Sequence, residues 1–388
     1  MSTWPTQPFL AGSYAVVCGP GEVLALDCDT GQDIALRGAL CAGDWTATLR
    51  GLGQLGAVRP DLASLHAALT TEKAVPLTYR TLLGRAGWEI LFLELTGQCN
   101  ERCRHCYAES SPERKEQLSW PEIEAVIQAA QLLGVRRLQL TGGDPLVSRH
   151  CLEAARLATR LGLPEVEIYT NGLALSESLA DELCALGVRF AMSFYSHKPE
   201  VHDRVTGTPG SQQRTLAAIE RVLRRKGELR VSLISTVDNR DDMAETIELL
   251  EGVGLGRDQL GLDEERAVGR GQFEDAGDQV PHALLAGDGP SPHGAAHGGG
   301  KLCVSYRGEL LPCIFSRAQR LGSIREASLL GLLDTPLRLR SGAPRLALAQ
   351  PEARLTCADC RLNESLLGRL GAWAEAVSAQ ERGLHSNG

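Results

Sequence analysis

Methionine is scarce in this 388-residue sequence (three residues), and aromatic side chains make up only 4% of it. No apolar run approaches the roughly 18–20 residues that crossing a bilayer requires. A basic face is also missing: the formal net charge is −8, which argues against the phosphate-binding surface of a nucleic-acid partner. The opening residues Met1–Phe9 lack the basic and apolar regions of a secretory signal. The expectation is a cytoplasmic protein with neither a nucleic-acid nor a membrane partner. With 43% hydrophobic and 23% charged residues the composition is globular, and the length exceeds one average domain.

Cysteine is plentiful, with twelve residues. In a reducing compartment, cysteines in such number point to metal binding rather than to disulfides. Seven fall into two local patterns, Cys99-Cys103-Cys106 and Cys303-Cys313 with Cys357-Cys360. Cys18, Cys28, Cys41, Cys151 and Cys184 are scattered. Cys184 lies in an amphipathic stretch, where a small buried hydrophobe is the default reading.

From about Trp88 to Asp263, short apolar runs alternate with amphipathic segments. The predicted strands are Ile90–Leu95, Arg137–Thr141, Val166–Thr170, Phe190–Phe194, Arg230–Val237 and Gln259–Asp263, and helical patterns at Pro121–Leu133, His150–Leu161, Ser176–Leu186, Thr215–Arg225 and Asp242–Val253 fall between them. Such β-then-α units imply an α/β fold with a parallel sheet. Ser119-Trp120-Pro121-Glu122 reads as a capping box. Residues 1–87 look like a separate accessory module, with a hairpin of Tyr14–Val17 and Glu22–Leu26 followed by helices near Trp45–Leu55 and Leu62–Leu69. Residues 271–300 are rich in Gly, Pro, Ala and His and read as a linker, in which His293 and His297 are solvated. Residues 301–375 carry the second cysteine set, and 376–388 form a tail.

Directly after the first core strand, Cys99, Cys103 and Cys106 share one loop. Three thiolates at this spacing suit a [4Fe–4S] cluster and leave one of its four irons open. A zinc site would want a fourth ligand, and the local candidate, His105, suits a loop position better. Here the chain resembles the radical S-adenosylmethionine (SAM) superfamily, whose hallmark is this Cys-x3-Cys-x2-Cys loop. The resemblance implies a partial (β/α)6 TIM-type barrel at residues 88–270. It also implies that the open iron chelates SAM and that reductive cleavage yields a 5′-deoxyadenosyl radical, which takes a hydrogen atom from the substrate.

Further segments carry the same likeness. Thr141-Gly142-Gly143-Asp144-Pro145 ends the second strand; its glycines permit close backbone approach, and Asp144 stands where the family usually has Glu. The resemblance assigns Gly142, Gly143 and Asp144 to SAM, with Asp144 accepting from its ammonium group. Ile168–Gly172 and Ala191–Gly207 match the third and fourth strands, which implies SAM contacts by Asn171, Ser193 and Arg204, with Thr170 in the same cavity. Arg266 and Arg270 fall at the end of the sixth strand, where a surface role competes with a site role.

Cys303 and Cys313 bracket a hairpin with Gly308 at its turn, and Cys357-x2-Cys360 follows. On spacing alone, four such cysteines fit zinc or a fully ligated [4Fe–4S] cluster. The pattern resembles the twitch domain of radical SAM enzymes, the shortened form of the SPASM domain. That implies one auxiliary [4Fe–4S] cluster whose task is to accept or relay an electron. Relatives of this architecture modify ribosomally made peptides, or dehydrogenate or epimerise sugars and aminocyclitols. The N-terminal module resembles a winged-helix leader-peptide recognition module, which favours a peptide. Because Cys151 and Cys184 sit on crossover helices, away from a hydrogen-donor position, oxidative crosslinking or dehydrogenation is favoured over epimerisation. An external donor such as flavodoxin or ferredoxin is implied. A non-catalytic iron–sulfur relative is the contrasting expectation.

Overall fold

The computed structural model describes residues 5–336 except positions 6, 20–21, 29–31, 38–40, 42–43, 58, 86, 267 and 272–299. The expected linker, the tail, Cys357 and Cys360 therefore lie wholly or almost wholly outside the described residues, as do His293 and His297. The chain divides into two compact units, one running from Gly87 to Leu329 and one containing the residues on either side of it. No helix among the described residues is long and apolar enough to cross a membrane.

In the N-terminal part, the expected hairpin forms from β2 (Tyr14–Gly19) and β3 (Glu22–Asp27), flanked by β1 (Phe9–Ala11), β4 (Asp33–Arg37) and β5 (Val75–Pro76) in the order β4-β3-β2-β1-β5. α1 (Trp45–Gly56) and α2 (Pro60–Thr71) follow, then α3 (Tyr79–Leu83). Asp44 caps α1 by accepting from the Ala47 N–H at 2.9 Å. Val16, Val23 and Ala25 of the sheet pack against Leu52 and Leu65 of the helices, removing both apolar faces from water.

The larger unit is α/β. Its parallel strands are β6 (Trp88–Thr96), β7 (Arg137–Gly142), β8 (Glu165–Thr170), β9 (Arg189–Phe194), β10 (Leu229–Ser235) and β11 (Leu260–Glu264), paired in sequence order. The crossovers are α4 (Trp120–Leu132), α5 (Cys151–Arg160), α6 (Glu177–Ala185), α7 (Pro199–Thr206), α8 (Ser211–Arg224) and α9 (Met243–Val253). Glu122 closes the expected capping box on the Ser119 N–H at 2.7 Å. The sheet does not stop at β6. β12 (Gly300–Val304) adds on in parallel, with Cys303 opposite Phe92, and β13 (Glu309–Leu311) and β14 (Gly322–Ser323) continue it antiparallel. The hairpin around Gly308 (φ 79°) is thus an extension of the core sheet. Helix α7 replaces an expected loop: Pro199 starts it and Gly207, left-handed at φ 62°, ends it.

A buried ion pair lies on the interior side of the strands. Arg230 donates to both oxygens of Glu167 (Nε to Oε2 2.8 Å, Nη2 to Oε1 2.9 Å), and Gln139 Nε2 adds a bond of 2.5 Å. Burial pushes the Glu167 carboxyl up, but the charge and bonds of Arg230 outweigh it and leave it at about 2. Removing one partner strands the other's charge in a dry interior. Glu167→Gln should therefore destabilise the unit by about 3–5 kcal/mol in denaturant unfolding. A depressed carboxylate contributes its stability in full above its unfolded-state value of about 4.3 and loses it as pH falls towards the folded value. The gap between the parent and the variant should accordingly narrow between about pH 4.3 and 2.

Candidate active site

Where β6 ends, the chain turns into the cysteine loop, which neighbouring elements hold by backbone bonds. The Cys99 N–H donates to Ser111 O (3.1 Å), and the Arg102 and Arg104 N–H groups donate to Thr206 O and Val205 O of α7 (2.9 and 3.1 Å). On the opposite flank Arg270, beyond β11, donates to Cys103 O (Nε 3.0 Å, Nη2 2.8 Å) and Ser110 O (2.8 Å). The three cysteines face one cleft with about 1130 Å³ of empty space, partly open to solvent. Backbone N–H groups point at two sulfurs: Glu101 N at Cys99 Sγ and Ser110 N at Cys106 Sγ, both 3.4 Å.

Directly beside the start of the loop stands the end of β7. Gly143 N–H donates to Thr96 O (2.7 Å) and Asp144 N–H to Gln98 O (3.0 Å). A Cβ on Gly143 would sit 2.1 Å from Gln98 O, so only glycine fits. Of the residues expected at the site, Gly142, Gly143, Thr170, Asn171 and Ser193 line the cleft with the three cysteines. Asp144 is fully buried behind them and does not line it. Its Oδ1 accepts from Leu146 N (2.9 Å), and its Oδ2 accepts from Thr170 Oγ1 (2.6 Å) and Asn171 N (2.9 Å). Arg204 is not brought to the cleft either: it lies on α7, half exposed, with Nε 3.3 Å from Asp238 Oδ1. Arg266 lines the wall, paired with Asp263 (2.9 Å) and stacked on Phe315 (4.1 Å).

Several lining groups carry no sequence signal of their own. Tyr169 hydroxyl and Ser193 Oγ are 3.0 Å apart, and Arg230 lies over the Tyr169 ring. His105 packs on Tyr195 (5.1 Å), and burial, helped by the Arg270 charge, lowers it to about 4 and keeps it neutral. Glu101, only 3% exposed, turns into the cleft between Cys99 and Cys103, and burial raises its carboxyl to about 7. Cys303 and Cys313 are both buried on the β12–β13 hairpin, whereas Cys151 and Cys184 lie on α5 and α6 and line nothing here.

Residues 93–250 match the family model of the Radical SAM superfamily. The chain carries a radical SAM core. An AdoMet-dependent heme synthase from Methanosarcina barkeri is 35% identical over 165 residues, 42% of this chain and 46% of that protein. A probable GTP 3′,8-cyclase from Thermococcus kodakarensis is 38% identical over 122 residues, 31% of this chain and 39% of that protein. The chain thus spans less than half the length of these curated relatives. Among solved structures, Streptococcus suis SuiB superposes with a TM-score of 0.52 at 13% identity, covering 84% of this chain and 89% of that one. The enzyme anSMEcpe with bound AdoMet and a peptide gives 0.51 at 15%, covering 74% and 99%. Both share the partial-barrel fold, which agrees with the α/β class expected from the sequence.

A radical SAM core implies SAM and a [4Fe–4S] cluster, and the cleft fits them. Burial pushes the Cys99 and Cys103 thiols well above their usual range, so they ionise only against a compensating cation such as iron. Among the described residues, no three Cys, His, Asp or Glu side chains converge on one metal ion. Tetrahedral zinc, with Zn–S bonds of about 2.3 Å, demands such convergence; a cubane does not, since each thiolate takes a different iron. Because a side chain at 143 would strike Gln98, Gly143→Ala should displace the cysteine loop. The expected result is loss of most bound iron after anaerobic reconstitution, measured as iron and sulfide per chain.

Proposed function

We propose that the chain is an oxidative radical SAM maturase of a ribosomally synthesised peptide. The observation that carries this reading is a three-thiol loop that lines one cleft together with the Gly142-Gly143 strand end. In this reading Cys99, Cys103 and Cys106 hold the SAM-binding cluster, and Gly142, Gly143, Asn171 and Ser193 form the SAM cradle. Asp144 serves from behind by fixing the Thr170-Asn171 turn, whereas Arg204, paired with Asp238 on α7, stands outside the cradle. When bound and reduced, the cluster and SAM together supply a 5′-deoxyadenosyl radical that abstracts hydrogen from the substrate. Cys303, Cys313, Cys357 and Cys360 hold an auxiliary [4Fe–4S] cluster, and a flavodoxin or ferredoxin supplies the electron.

The peptide assignment draws support from two sides. Two structures that share the fold contain bound peptides, SuiB with its precursor SuiA and anSMEcpe with Cp18Cys. The N-terminal hairpin followed by helices is consistent with the leader-recognition module that the sequence resembles. Arg230, Tyr169, Asp263 and Arg266 line the same cleft as the cysteines, so they offer polar anchors to a substrate held there.

The test incubates reconstituted, reduced protein with SAM and a short peptide encoded beside its gene, in deuterated solvent. A peptide lighter by about two mass units, matched by 5′-deoxyadenosine, is the expected outcome of losing two hydrogens. Gain of one deuterium would mean epimerisation, and an unchanged peptide with active SAM cleavage would point to a sugar or aminocyclitol substrate. Absence of SAM cleavage would support the non-catalytic relative. Cys99→Ala should abolish 5′-deoxyadenosine formation, while Cys313→Ala should retain it and lose the modified peptide; both are read by chromatography of the same reactions.

A further inference from the structure

The cleft contains a buried carboxylate oxygen with nothing to bond. Glu101 Oε1 is shielded from solvent and has no hydrogen-bond partner, while Oε2 lies 3.4 Å from Cys103 Sγ. An unsatisfied carboxylate oxygen in a buried site is costly, and a hydrogen-bond donor removes that cost. Gly142, Gly143 and Asn171, the residues of the SAM cradle, line the same cleft as Glu101, and Cys99 and Cys103 flank it in sequence. The acid expected to meet the SAM ammonium, Asp144, is committed elsewhere: both its oxygens are occupied by Leu146, Thr170 and Asn171, and it does not reach the cleft surface.

We propose that Glu101 is the carboxylate that accepts a hydrogen bond from the amino group of SAM, in place of the shorter, internally bonded Asp144. This deepens the SAM-site reading above and rests on it. Glu101 projects from the cysteine loop itself, so the group that binds the ligand's amino end moves with the thiolates that hold the cluster. The other carboxylates of the cleft, Asp263, Glu264 and Glu265, sit on or just after β11, and Asp263 is already paired with Arg266. Glu101 is a ligand-positioning group of the site, and its contribution is to SAM affinity and orientation.

The experiment measures ligand affinity on cluster-loaded protein without reductant, so that no SAM is cleaved. The ligands are SAM, S-adenosylhomocysteine, which keeps the amino group, and 5′-methylthioadenosine, which lacks it. In Glu101→Gln, loss of a charge-assisted bond should weaken SAM and S-adenosylhomocysteine by about 10- to 100-fold and leave 5′-methylthioadenosine unchanged. Glu101→Asp should fall between. An equal loss for all three ligands, or SAM affinity unchanged, overturns the proposal. Glu101→Met provides a second neutral side chain; if both neutral variants fail to retain iron, Glu101 supports the loop rather than the ligand, and the proposal is again overturned. Parent protein that binds iron but no SAM would instead defeat the underlying SAM-site reading.

Discussion

The end of β7 and the start of the cysteine loop lie closer together than any side chain permits. Thr96 and Gln98 carbonyls receive the Gly143 and Asp144 N–H groups, and the missing Cβ at Gly143 is what lets them do so. This backbone contact fixes where the cysteine loop leaves the sheet. The α7 carbonyls and Arg270 then hold its far side. The cleft is bounded by main chain on several sides, and main-chain bonds are stiffer supports than flexible side chains. These bonds position the loop from which the three thiols project into the cleft.

Beneath the cleft the interior is polar as well as apolar. Glu167, Arg230 and Gln139 form a bonded group among buried strands, and Glu94 on β6 pairs with Arg317 beyond the hairpin while accepting from Tyr306 N–H. These pairs are costly to desolvate, and their strict geometry ties particular strands together. Arg230 serves twice, as a partner of Glu167 and as part of the cleft wall beside Tyr169.

Much of this was legible in the sequence because the signals are local. Six apolar runs gave six parallel strands, each within a few residues, because strands buried in a parallel sheet are rich in Val, Ile, Leu and Phe even where Gln139, Glu167 or Arg230 interrupts them. The cysteine loop and the Gly142-Gly143 turn were legible for the same reason: their chemistry lies in consecutive residues. What was hidden depended on tertiary placement. β1 and β5 are three and two residues long and carry no period. α7 is an eight-residue helix rich in charge, so its helical phase, which turns Arg204 outward, was invisible in a loop reading. Asp144 looks like a ligand-facing acid until Thr170 and Asn171 are seen to occupy it. Glu101 was passed over because charged residues are seldom buried, and nothing in sequence reveals that this one is.

The hairpin bearing Cys303 has a mechanical implication. β12 is located by its ladder with β6, where Cys303 stands opposite Phe92. Neighbouring strands keep a separation of about 4.8 Å whatever connects them. The length of chain between β11 and β12 therefore does not set where Cys303 stands relative to β6. The spacing of that sulfur from the cysteine loop is inherited from the sheet.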